Sequence, residues 1–328
     1  MKPIISFTIG DVNGIGPEVV LKAITDQEIT DKFNALLIGP EHIWKSTANK
    51  LKIKFNPEVN GTNFKKNNII IKDVYYPYKS EYGKISEKAG DLSVISILQA
   101  LDLCLIGFSD AMVTAPISKE AINKAKYFYD GHTGLLAALT KNKKICMMLV
   151  SQKMRVGLVT THTPINNISK QISKKLIIEK LEIINNSLIK DFGIQKPNIA
   201  VLGLNPHSGD GGVLGNEEKK IIIPAINSAN KMGIQAIGPF ASDAFFARYN
   251  PDNYDAILAM YHDQGLIPFK MTDNNRGVNF TAGLKIIRTS PDHGTGFDIA
   301  GKFIANHKSM VEAIKLAIFL NKKRKKIK

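Results

Sequence analysis

Short apolar runs alternate with longer amphipathic stretches along most of the chain, the pattern of strands and helices taken in turn. Residues 4–9 read as a first strand. The turn after it, GDVNGIGPE at 10–18, enters a helix over 17–24, with Pro17 just inside the start and Glu18 in the first turn. Residues 34–39 form a second strand and 41–49 a helix. The segment 50–85 is a polar mixture of strand and loop in which 69–71 is the strand. Ser86 caps a long helix over 87–108. A strand at 111–114, a turn into a helix at 115–120 and a loop at 130–134 opening a helix through 139 follow. Residues 145–150 and 154–160 are two strands close enough to predict a hairpin. One amphipathic helix spans 168–188. Then come strand 199–204, polar loop 205–212, helix 217–232, strand 234–237, helix 243–249 and strand 256–260. A last helix at 309–319 runs into a basic tail, 322–328, expected to be frayed and solvated. No segment repeats. The alternation predicts an α/β fold with a mostly parallel sheet, made mixed by the hairpin.

Chemistry gathers just past the apolar runs. Residues 261–301 crowd His262, Asp263, Gln264, Lys270, Asn279, Arg288, Asp292, His293 and Asp298 among six glycines at 265, 277, 283, 294, 296 and 301. A packing element needs no such mixture; a site on the carboxyl edge of an α/β sheet does. Two more histidines sit in the same context: His162 follows the run 154–160 and His207 the run 199–204. If the three strands are parallel neighbours, the three imidazoles leave one edge and form a metal site with an open position. A single histidine so placed reads as an ordinary loop residue; three argue for ligands.

Composition narrows the class. A chain of 328 residues can bury a large core and supports two domains. Its 44% hydrophobic content and 14 prolines fit an ordered globular enzyme. The net charge of +15 comes from lysines spread end to end, with no basic and aromatic stripe, so neither the charge nor the tail predicts nucleic-acid binding. The two cysteines, Cys104 and Cys146, lie in apolar runs without metal spacing and read as buried thiols in a reducing compartment. With no apolar leader and no run as long as a membrane span, a cytoplasmic, non-membrane protein is expected.

Two distant segments, GIGPE at 14–18 and DHGTGFDIAG at 292–301, resemble the isocitrate and isopropylmalate dehydrogenase superfamily, whose late loop holds the adenosine side of NAD. TAPISKEA (114–121), GHT (131–133), GLNPHSGDGG (203–212), GPFASDAFF (238–246), YHDQGLIPFK (261–270) and VNFTAGLKIIRTSPDHGTGFDIAG (278–301) together resemble the 4-hydroxythreonine-4-phosphate dehydrogenases over nearly the whole length. The resemblance implies two α/β/α domains with a mixed, mostly parallel sheet and an active site in the cleft between them. One domain would comprise residues 1–124 and 271–328, the other, with the metal histidines, residues 125–270. It implies His162, His207 and His262 as ligands of one divalent ion (Zn, Mg or Co) shared across a homodimer. Substrate would meet His132, Thr133, Lys270, Asn279 and Arg288, and NAD or NADP would lie near Gly294 and Asp298. Asp243 and Asp263 are candidates to orient a ligand histidine or accept a proton, with helix capping as the competing role for Asp243. Three departures stand out: Val12 and Asn13 replace Pro and Ala, Gly134 replaces a Glu after GHT, and Ala244 replaces a Thr.

The implied reaction oxidises the C3 hydroxyl of 4-phosphohydroxy-L-threonine to a ketone that loses CO₂ to give 3-amino-1-hydroxyacetone phosphate, in pyridoxine phosphate biosynthesis. Lys270 and Arg288 suit the phosphate or carboxylate, and His132 and Thr133 stand at a helix start. Open alternatives are a paralogous dehydrogenase of another phosphorylated or carboxylated hydroxy acid and a metal-dependent hydrolase. The hydrolase has no use for the HGTGFDIAG loop. A phosphotransacylase-like enzyme on a related fold has no use for the three histidines.

Overall fold

The computed structural model describes residues 2–64, 68–142, 144–273 and 276–327. The chain forms two compact units, Met1–Lys141 with Leu284–Lys322, and Asn142–Gly283 with Lys323–Lys328; these limits lie beyond the 125 and 270 expected from sequence. The first unit begins with β1 (Ile4–Thr8), α1 (Gly16–Ile24), β2 (Asn34–Ile38), α2 (Glu41–Lys50), β3 (Glu58–Val59), β4 (Ile69–Lys72), α3 (Glu87–Leu105), β5 (Ala111–Val113), α4 (Lys119–Lys124) and α5 (His132–Leu139). The second contains β6 (Cys146–Val150), β7 (Arg155–Leu158), α6 (Ile165–Gln171), α7 (Lys174–Lys190), β8 (Asn198–Leu202), α8 (Ile223–Lys231), β9 (Gln235–Phe240), α9 (Ser242–Ala247), β10 (Ala256–Ala259), α10 (His262–Asp273) and β11 (Val278–Ala282). β12 (Arg288–Pro291) and most of α11 (Lys308–Ile327) return to the first unit.

In the first unit the strands run β3-β4-β2-β1-β5-β12, every neighbouring pair parallel. Ile5, Phe7, Leu37, Ile70, Ile71 and Val113 are wholly buried, as expected of parallel strands covered on both faces. In the second unit the order is β11-β6-β7-β10-β8-β9. The β11/β6 and β6/β7 pairs are antiparallel, so the expected hairpin forms, and β7, β10, β8 and β9 run parallel to one another. The fold is thus α/β with a mixed, mostly parallel sheet. Alternation along β7 shows how helices cover its two sides. Val156 and Leu158 join a core with Leu266 and Phe269 of α10, while a Cβ on Gly157 would collide with Ile184 of α7.

Caps follow the sequence. The Ser86, Ser118 and Ser173 hydroxyls accept from the N–H groups of Ala89, Ala121 and Leu176. Ser173 also explains a correction: the single helix expected over 168–188 is two, α6 and α7, because Ile172 is extended and Ser173 starts a new helix. A second correction concerns the tail. α11 stays helical through Ile327, and Lys328 lies outside the described residues. The Arg324 Nε donates to Asp191 Oδ1 at 2.6 Å, and the Ser187 hydroxyl donates to Asp191 Oδ2 at 2.5 Å. Asp191 is 2% exposed, so this carboxylate needs its partners. Cys146 is buried as expected, but Cys104 is only half-buried. Among the described residues no helix is long and apolar enough to cross a membrane.

Removing one partner of a buried pair strands the other charge. Arg324→Ala is therefore expected to lower stability by about 3 kcal/mol in urea denaturation; an unchanged midpoint would show that the tail does not brace the second unit.

Candidate active site

The strand-end condition set by the sequence holds in the second unit. β7, β10 and β8 are parallel neighbours, with Ile257 paired to Val156 and to Ala200. Their carboxyl ends share one edge, and His162, His262 and His207 all follow it. The His162 and His262 rings lie 6.1 Å apart between centroids. His262 is the first residue of α10, and its Nδ1 is 2.6 Å from Asp263 Oδ1, which leaves Nε2 for a ligand. His207 leaves the same edge on a different path. His207, Ser208, Gly209, Asp210 and Gly211 all take left-handed backbone angles, with φ of 51° at His207. Among the described residues no group of three His, Cys, Asp or Glu side chains is close enough to hold a metal. One chain thus brings two imidazoles together and not the third.

Gln264 ties this edge together. Its Oε1 accepts the Met260 N–H at 2.6 Å, and its Nε2 donates to Gly203 O at 2.5 Å and Ser242 Oγ at 2.8 Å. One buried amide so links the ends of β10 and β8 to the start of α9. Asp243 lies in the first turn of α9, where a carboxylate faces the positive end of the helix; it is exposed, and Ala241 rather than Asp243 is the cap residue. Lys270 is exposed in the last turn of α10, and Asn279 is half-buried on β11 opposite Leu149. The left-handed run costs roughly 1–2 kcal/mol at each of its three non-glycine positions. Hydrogen bonds to an ionised acceptor contribute about 1.5–3 kcal/mol each. The buried Glu218 carboxylate accepts from the Leu204 and Asn205 N–H groups and from Asn205 Nδ2, so the two effects are of similar size.

The first unit carries His132, Thr133 and Arg288. Arg288 begins β12 and is 1% exposed; its Nε and Nη2 both donate to Thr114 Oγ1, at 3.0 and 2.8 Å. Burial pulls its pKa down to about 9. His132 begins α5 after Gly131, and its Nε2 is buried with no hydrogen-bond partner among the described residues. Burial, then the nearby Arg288 charge, hold His132 well below the usual imidazole range, so the ring is neutral. A buried guanidinium and an open imidazole nitrogen suit an anionic ligand with a hydroxyl or phosphate group.

The two chain segments matched at the outset also meet here. The Ile15 N–H donates to Thr295 O at 2.9 Å, and a Cβ on Gly14 would strike that same oxygen. Glu18 Oε1 accepts from the Ala305 N–H and from Lys22, whose Nζ also reaches the Phe303 and Ala305 carbonyls. Asp11 Oδ2 and His293 Nε2 are buried without partners among the described residues. Burial raises the Asp11 pKa to about 6 against the pull of the Asn13 and Gly14 N–H groups. Gly294 and Asp298 are exposed, and a Cβ on Gly294 would meet nothing. The departures acquire reasons. Asn13 is wholly buried; its Nδ2 donates to Tyr78 Oη and Lys84 O, and its Oδ1 accepts the Glu81 N–H, pinning the 78–84 loop. A Cβ at Gly134 would overlap Asp130 Oδ1, so another carboxylate fills that space. Ala244 is exposed, and nothing in the structure explains it. Thr114 and Glu218 were not singled out by sequence, and Gln264 stood among the polar residues of 261–301 without a role; Thr114 and Gln264 lie inside matched motifs, whereas Glu218 reads only as a helix position.

The fold has the architecture of the β-decarboxylating dehydrogenases. One such enzyme, from Thermococcus kodakarensis, superposes with a TM-score of 0.50 at 15% identity, over 98% of this chain and 84% of that one, a likeness of fold alone. A family model described as pyridoxal phosphate biosynthetic protein PdxA matches residues 31–317, and the chain belongs to that family. A 4-hydroxythreonine-4-phosphate dehydrogenase from Sulfurihydrogenibium sp. is 40% identical over 98% of this chain and 99% of its own. A relative from Oceanobacillus iheyensis, 39% identical over 97% of this chain and 98% of its own, carries instead the name of a D-threonate 4-phosphate dehydrogenase. The crystal structure of a 4-hydroxythreonine-4-phosphate dehydrogenase from Klebsiella pneumoniae superposes with a TM-score of 0.88 at 34% identity, covering 98% of each chain.

Asp210→Gly removes one left-handed cost and is expected to stabilise the protein by about 1 kcal/mol in thermal or urea unfolding; destabilisation would mean that the Asp210 side chain supports the turn. A pH prediction follows from His132. Below its ordinary pKa of 6.5 the unfolded chain takes a proton that the folded ring does not, so stability falls with pH; above 6.5 both states are neutral and His132 contributes nothing. His132→Gln should lose up to about 1.4 kcal/mol of that fall per pH unit between pH 6.5 and 5.5 in urea titrations; an unchanged slope would contradict the neutral ring.

Proposed function

We propose that this protein oxidises the C3 hydroxyl of 4-phosphohydroxy-L-threonine with NAD or NADP, in pyridoxine phosphate biosynthesis. The observation that carries the reading is the common edge of β7, β10 and β8, with His162 and His262 in contact on it. Family membership and relatives of that name support the substrate.

The donor set fits a divalent ion such as Zn, Mg or Co. His262 has Nε2 to offer because Asp263 engages Nδ1. Two converging imidazoles in one chain, with His207 on the same edge, are explained by a site completed in a homodimer. Val213, Ile267 and Met271, exposed apolar side chains of this unit, support such a partner surface. The first unit fits a nicotinamide dinucleotide: the Gly294–Asp298 loop is open, and the buried Asp11 and His293 atoms await partners. When bound, the ion stabilises negative charge on the reacting oxygen and the oxidised nicotinamide accepts the hydride.

The chain's own residues do the rest. Asp263 orients His262, which leaves Asp243 to take the hydroxyl proton. Arg288, held by Thr114, binds phosphate or carboxylate with Thr133 as a neutral donor, the open His132 Nε2 accepts from a substrate hydroxyl, and Lys270 and Asn279 bind the same class of groups as Arg288. Oxidation sets the carboxylate β to a ketone, and loss of CO₂ then gives 3-amino-1-hydroxyacetone phosphate. A second reading, favoured by the Oceanobacillus relative, replaces the amine of the substrate by a hydroxyl, as in D-threonate 4-phosphate.

Purified protein with NAD or NADP should reduce nicotinamide with one of these two substrates. Chelation should abolish the reaction, Zn²⁺, Co²⁺ or Mg²⁺ should restore it, and His162→Ala or His262→Ala should lower kcat/KM by at least about a hundredfold. Reduction with D-threonate 4-phosphate alone would select the second reading. Phosphate release without reduction would contradict both.

A further inference from the structure

We propose that Glu218 is the positioning residue for His207: its carboxylate holds the left-handed turn that aims the imidazole, without touching the ligand itself. The proposal rests on the reading of His207 as a metal ligand. Three observations carry it. The first is the turn. Five successive residues, His207 to Gly211, have left-handed angles, a path that L-residues avoid, and His207 itself is one of them. A loop free to choose would relax; this one is held, and the residue bearing the imidazole is inside the held part. The second is the exposure of His207. With little packing around its ring, its direction is set by the backbone beneath it.

The third is the reach of one carboxylate. Glu218 is 3% exposed, in a single π-helical turn, Glu218–Ile222, that leads into α8. Its Oε1 accepts the N–H groups of Leu204 and Asn205 at 2.8 and 2.7 Å, the two residues through which the chain approaches the turn. Its Oε2 accepts from Asn205 Nδ2 at 2.9 Å and occupies the place where a Cβ on Gly209 would fall. The Asn205 carbonyl in turn accepts the Ser208 N–H at 3.1 Å. One side chain therefore contacts the entry and the middle of the turn, on both sides of His207. An amide at 218 keeps the volume but sets an N–H group against donors, and so loosens the path without opening a cavity.

The test uses the full chain, stripped of metal and titrated with Co²⁺ alone. Wild type, Glu218→Gln, Glu218→Ala, His207→Ala and the Glu218→Gln/His207→Ala double variant are compared. The readouts are Co²⁺ affinity, visible absorption at saturation, and the melting temperature of the metal-free protein. Glu218→Gln is expected to weaken Co²⁺ by about tenfold or more and to alter the ligand-field bands. It should add no further loss in the His207→Ala background, because its effect passes through that imidazole. Glu218→Gln that folds and binds Co²⁺ with wild-type affinity and spectrum, while His207→Ala is impaired, overturns the proposal. So does an equal loss in both backgrounds, which marks a general effect on the fold. Wild-type Co²⁺ binding by His207→Ala overturns the ligand reading beneath it. Should Glu218→Ala fail to fold, Glu218→Gln decides alone.

Discussion

Parallel pairing of β7, β10 and β8 is the constraint on which the functional surface depends. Parallel strands all end on one side, so whatever follows them in sequence meets there. Register does the rest: Leu258 pairs with Gly157 on one side and Val201 on the other, and His162, His262 and His207 leave from a common edge. The apolar cluster of Val156, Leu158, Ala200, Ile257, Leu266 and Phe269 holds that register, because slipping a strand by one residue would turn its buried side chains to the other face. Gln264 then locks the loops above it. Its amide serves three elements at once, and no hydrocarbon of the same shape replaces it without stranding the Gly203 carbonyl and the Met260 N–H.

The first unit applies the same principle to segments far apart in the sequence. GIGPE and DHGTGFDIAG are joined by the Ile15 to Thr295 hydrogen bond and by the buried Glu18–Lys22 pair reaching to residues 303 and 305. Glycine is required at 14 by this close approach. Beside the joined loops, Arg288 and His132 share a buried, positively charged environment in which the imidazole remains neutral. A cation and a neutral ring with an open nitrogen are thus divided between two side chains.

Much of this was legible in the residues. Apolar runs marked the strands, Ser86 marked the start of α3, and strand-end histidines marked the edge. What escaped has physical reasons. No helix was expected over α10, where Gly265 and Pro268 are poor helix residues, yet Gly265 is needed there: a Cβ would press on Val156 and Ala259. The break between α6 and α7 hid inside a continuous amphipathic pattern, since Ser173 is as ordinary on a helix surface as at a cap. The docked tail was invisible because the partner of Arg324 is Asp191, far away in sequence. Glu218 looked like any glutamate of a surface helix; only the fold shows it buried beneath the His207 turn. Patterns of period and spacing reveal elements, whereas side chains that serve another element's backbone carry no local signature.

The central claim is that the edge of β7, β10 and β8 is a metal site built from imidazoles. X-ray absorption at the metal edge of the full-length protein loaded with Zn²⁺ tests it directly, because imidazole rings add outer-shell scattering that water and carboxylate do not. The account predicts a nitrogen and oxygen first shell with the scattering of three imidazoles, reduced by one ring in His162→Ala, His207→Ala or His262→Ala. A first shell without imidazole scattering, or one unchanged by all three substitutions, would contradict it.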